Sequence, residues 1–114
     1  MLKGDIVVRV TDSELSRAEL YQGGPKGYRL LSDAERDAWT EEFRNNWLTS
    51  DGETRVPPRL RAVRIDPEGH YLVLRARTAQ PEGKTRYAGG FMTILDTVTG
   101  YEIVVARKFM RKVT

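Results

Sequence analysis

A chain of 114 residues, 39% hydrophobic and 31% charged, has room for one domain with a modest core. It holds no cysteine and a single histidine, which excludes disulfides and thiolate chemistry and argues against the common zinc sites. The net charge of +3 is split: residues 1–52 hold seven Lys/Arg against ten Asp/Glu (net −3), and residues 53–114 hold twelve against six (net +6).

Ile6-Val7-Val8-Arg9-Val10 is rich in β-branched residues and follows Gly4-Asp5, so it predicts a first strand. Thr11 and Glu14 stand at capping-box spacing and open a short helical stretch through Leu15, Ala18 and Leu20. Gly23-Gly24-Pro25-Lys26-Gly27 stops regular structure. It lacks the spacing of a phosphate-cradling loop. Tyr28 to Leu31 carries at most a brief edge strand. Ser32-Asp33-Ala34-Glu35 is a second capping box, and Trp39, Phe43 and Trp47 recur every fourth residue behind it, with Ala38 and Leu48 flanking the stripe. That spacing predicts the main amphipathic helix, ending at Ser50-Asp51-Gly52.

After the stiff Pro57-Pro58 connector, the basic half reads as a four-stranded meander: Leu60 to Ile65, His70 to Thr78, Tyr87 to Leu95 and Tyr101 to Met110. Asp66-Pro67-Glu68-Gly69 and Asp96-Thr97-Val98-Thr99-Gly100 supply its turns, and Gly89-Gly90 marks a bend. The expected fold is a single α+β domain over residues 1–114, with one main helix packed on a bent antiparallel sheet in the order β-α-β-β-β-β. That order resembles cystatin-like scaffolds, and a helix on a curved sheet resembles nuclear-transport-factor-like domains. Both likenesses are of architecture alone and imply no function.

Two constellations stand out. Arg59, Arg61, Arg107 and Arg111 meet on one basic surface if the first and last strands of the meander run close together, and the tyrosines among them can stack bases. Tyr101, Ile103 and Val105 point to one side of a strand that is apolar on both sides, which predicts a contact face for a partner or a second copy. The leading expectation is a small non-enzymatic binding or regulatory module acting by protein–protein contact, with a homodimer as one form. The alternative is nucleic-acid binding by the basic sheet. A small enzyme using His70, or a ligand pocket under the helix, comes third. No cofactor, metal or membrane partner is expected. With no leader-like or spanning apolar run, the cytoplasm is the expected location.

Overall fold

A computed structural model describes residues 1–21, 25–42, 60–81 and 86–113. Phe43, Trp47, Leu48 and Arg59 therefore lie outside the described residues. The chain divides into two compact units, one of Met1–Arg29 with Ala62–Thr114 and one of Leu30–Arg61.

The strands are β1 (Ile6–Arg9), β2 (Lys26–Leu30), β3 (Leu60–Arg64), β4 (Tyr71–Thr78), β5 (Phe91–Asp96), β6 (Glu102–Ala106) and β7 (Met110–Lys112), with helices α1 (Arg17–Tyr21) and α2 (Asp33–Glu42). They make an α+β fold on a seven-stranded sheet in the order β3-β2-β6-β5-β4-β1-β7. Its recorded pairings are antiparallel. Two strands exceed the five expected. The segment after Pro25 becomes β2 and pairs with β6 through Tyr28↔Val104 and Arg29↔Ile103. The last expected strand is broken by a 3₁₀ turn at Arg107–Phe109, after which the chain crosses to pair β7 with β1.

Both capping boxes form. The Glu14 carboxylate accepts from the Thr11 N–H at 2.8 Å, although it caps a 3₁₀ turn (Asp12–Glu14) and α1 opens later, at a Ser16/Glu19 box. Ser32 Oγ accepts from the Glu35 N–H at 3.2 Å at the start of α2. The Gly89-Gly90 pair makes a turn before β5, with positive φ at both residues.

The sheet of the larger unit curls over its inner face. Val7, Tyr71, Val73, Met92, Ile94, Ile103, Val105 and Met110 pack there as one cluster with Ile65, the residue after β3. Ile65 comes from one end of the strand order and Met110 from the other, so their shared burial closes the curl. Arg9 fastens it: its Nη1 donates to the Ile65 carbonyl at 3.3 Å and its Nη2 to Asp12 at 2.6 Å. Two register shifts in β4, between Val73 and Arg75 and between Arg75 and Thr78, accompany the coiling.

Candidate functional site

Of the four expected arginines, Arg59 lies outside the described residues and the other three sit on different segments. Arg61 is exposed on β3, at one end of the strand order, and Arg111 is exposed on β7, at the other. Arg107 is half-buried and donates to the Ala76 carbonyl. The 3₁₀ turn ends strand alternation at Arg107, so parity no longer puts it beside Arg111.

The cations near the C-terminus are also met by acids from the N-terminal segment. Lys108 pairs with Glu19, and Lys112 lies 3.7 Å from Asp5. Glu14 is held below the usual carboxylate range by the Thr11 N–H, then by the Thr11 hydroxyl, and more weakly by the field of Arg111. Asp5 is lowered by the Leu2 N–H and then by Lys112, and Glu19 by Lys108 and then by the Ser16 N–H. Here the split of charge is complementarity within the fold. A carboxyl whose folded pKa is depressed stabilises above its unfolded pKa, and that contribution is lost as pH falls through the folded value. Melting temperature should therefore drop more steeply below about pH 4.5 in the wild type than in an Asp5→Asn, Glu14→Gln, Glu19→Gln variant. Parallel pH profiles would show that these pairs contribute nothing.

The expected contact face is largely internal. Ile103 is 3% exposed and Val105 fully buried, both in the inner cluster, and only Tyr101 of the three is open, at 43%. Tyr101 carries the Arg29 guanidinium 4.5 Å from its ring centre. Alternation had grouped the three residues, but the curl turns their side of β6 inward. The other side of β5 and β6 is covered too: Phe91 and Ala106 pack with Leu15 from the N-terminal segment and Phe109 from the 3₁₀ turn.

What stays open is the outer face at the opposite end of β5. Ile6 pairs with Leu72, Leu72 with Leu95, and Leu95 with Glu102. Paired residues of antiparallel strands share a face. Ile6, Leu72 and Leu95 therefore form a cross-strand apolar row, Ile6 40% exposed and the two leucines half-buried. Val113, also part-exposed, donates its N–H to the Ile6 carbonyl at the end of the row. The sequence signal for the row was present in the β-branched and leucine residues out of phase with the core.

A second open feature is a shallow cleft of about 240 Å³ lined by Lys26, Ala62, Val63 and Arg64. His70 is exposed in the turn before β4. Among the described residues no three His, Asp or Glu side chains are grouped to hold a metal ion, and no helix is long and apolar enough to cross a membrane. Compared with protein-family models, with curated proteins and with solved structures, the chain matches none.

Proposed function

We propose that this protein is a non-enzymatic binding module that acts by protein–protein contact through the outer face of β1, β4 and β5. The observation that carries the reading is the Ile6–Leu72–Leu95 row: apolar side chains aligned across three strands and left in contact with water. Burying such a row against a partner contributes roughly 25 cal/mol per Å² of apolar surface, and the rim around it is polar, with Glu102 at one end. A second copy of the chain is one partner that fits, since like rows on two sheets can stack face to face.

The nucleic-acid alternative is the less favoured reading, because Lys108 and Lys112 pair with acids of this chain and Arg107 donates to the Ala76 carbonyl. Phosphate contacts must follow one backbone path.

Light scattering over a range of micromolar concentrations tests the homodimeric form. The row predicts a mass rising with concentration in the wild type and a constant 13.0 kDa in Leu72→Asp. A wild type that stays at the monomer mass removes self-association and leaves a different protein as the partner.

A further inference from the structure

The Ile6–Leu72–Leu95 row has a charged margin on each side. Thr93 stands two residues before Leu95 on β5 and so shares its face, and its partner on β4 is Arg75. Val8 stands two residues after Ile6 on β1, and its partner on β7 is Arg111. β1 and β5 are both antiparallel to β4, so they run the same way. One step back from Leu95 and one step forward from Ile6 therefore lead to opposite sides of the row. Arg75 and Arg111 are both exposed, one on either side of it. All of these residues belong to the larger unit.

The contrast with two neighbouring lysines is informative. Lys108 pairs with Glu19 and Lys112 lies against Asp5, whereas neither Arg75 nor Arg111 is in an ion pair among the described residues. Arg111 adds only the weakest pull on Glu14. A second copy of the chain would bring two more arginines to the same interface, while an acidic segment brings their counter-charges.

The dimensions select the form of that segment. Strands about 4.8 Å apart set Leu95 and Val113, the ends of the apolar row, about 14 Å from each other. The apolar stripe of a three-turn helix runs about 16 Å and has a polar border along each side. Laid along the row, such a helix brings one border towards Arg75 and the other towards Arg111.

We infer that the row docks an amphipathic helix of a partner protein whose apolar stripe is flanked by Asp or Glu, the stripe on Ile6, Leu72 and Leu95 and the carboxylates on Arg75 and Arg111. The inference rests on the reading of this face as a protein-contact surface and names the partner's chemistry there.

The test is fluorescence anisotropy of the whole protein with a labelled helical peptide of roughly 15 residues, its leucines spaced to one face and flanked by Glu. Its Gln-flanked and Lys-flanked counterparts and single-stranded oligothymidine are the comparisons. The Glu-flanked peptide should bind about tenfold tighter than the Gln-flanked one at about 50 mM salt, and lose a few-fold of that affinity at about 0.5 M. Arg75→Glu and Arg111→Glu should each weaken it by about tenfold and favour the Lys-flanked peptide. Arg75→Gln and Arg111→Gln give milder losses in the same direction, and thermal melts confirm that the variants fold. Leu72→Asp should abolish binding of all three peptides. Equal binding of the Glu-flanked and Gln-flanked peptides, no change in Arg75→Glu and Arg111→Glu, or tighter binding of oligothymidine would each overturn the inference. Peptides that bind whatever their flanks, yet are lost in Leu72→Asp, would remove the acidic partner and leave the row as a contact face. Binding of the Glu-flanked peptide that is indifferent to Leu72→Asp would overturn both.

Discussion

Replacing Ile65 with alanine should lower stability by about 2–5 kcal/mol, the range for truncating a large aliphatic side chain in a packed core. Ile65 is fully buried at the point where the curled sheet meets itself, packed in one cluster with Val7 and Met110. Its truncation leaves a void at the closure, and its carbonyl is the acceptor for Arg9. Neighbouring side chains are held by strand pairing and can relax only in part, so the cavity persists. Urea denaturation gives the value directly. Val98→Ala is the matched control, since Val98 is 91% exposed in the β5–β6 turn and its truncation should change stability by no more than about 0.5 kcal/mol. Equal effects at the two positions would mean that the curl is not closed by Ile65.

Gly27→Ala should cost about 1–3 kcal/mol by overpacking. A Cβ at Gly27 would overlap Ile103 Cγ2 and stand 2.8 Å from Ile65 Cδ1. The Ile65 methyl ends a flexible chain and can turn away. Ile103 Cγ2 sits on a branched Cβ with one preferred rotamer and cannot move without shifting β6. Glycine is needed at this position for approach, because it lets β2 lie close against the inner cluster. Gly4→Ala is a useful comparison: Gly4 has open space around it but a φ of +90°, so any cost there is backbone strain alone. A Gly27→Ala protein with unchanged stability and an unchanged response to Ile103→Val would contradict the close approach.

Much of the fold was legible because period-two patterns and turn chemistry are local. Three strands of the expected meander, β4, β5 and β6, stand side by side, and their turn and both capping boxes follow from residues within a few positions of one another. The fourth, β3, lies beside β2 instead of β4, a pairing that no local pattern signals. β2 was harder to read, because Lys26-Gly27-Tyr28-Arg29-Leu30 looks polar and glycine-bearing. It is a strand because Gly27 and Arg29 face an interior that other segments build. The break at Arg107–Phe109 carries no glycine or proline. It is fixed by the Arg107 side chain reaching Ala76, 31 residues earlier, and by the Arg107 N–H donating to the Gly90 carbonyl.

The candidate sites show the same limit. Parity placed Tyr101, Ile103 and Val105 on one side of a strand, yet only the curl decides that this side is inside. Arg9 and Arg29, 7% and 6% exposed, stood in phase with core positions, but their burial depends on distant partners such as the Ile65 carbonyl and the Tyr101 ring. Charge counts by half of the chain were sound. Their meaning changed once Asp5 and Glu19 were found against Lys112 and Lys108.

The claim that this module works by protein contact through the outer face of β1, β4 and β5 is tested most directly by capture from lysate of the source cells on the immobilised chain. The lysate is treated with nuclease, and wild type is compared with Leu72→Asp. The account predicts a protein that is retained after nuclease treatment and at about 0.5 M salt, where exposed ionic contacts are screened within a few Å, and that is lost from Leu72→Asp. Capture that disappears with nuclease or salt and is indifferent to Leu72→Asp would contradict it and return the basic surface to first place.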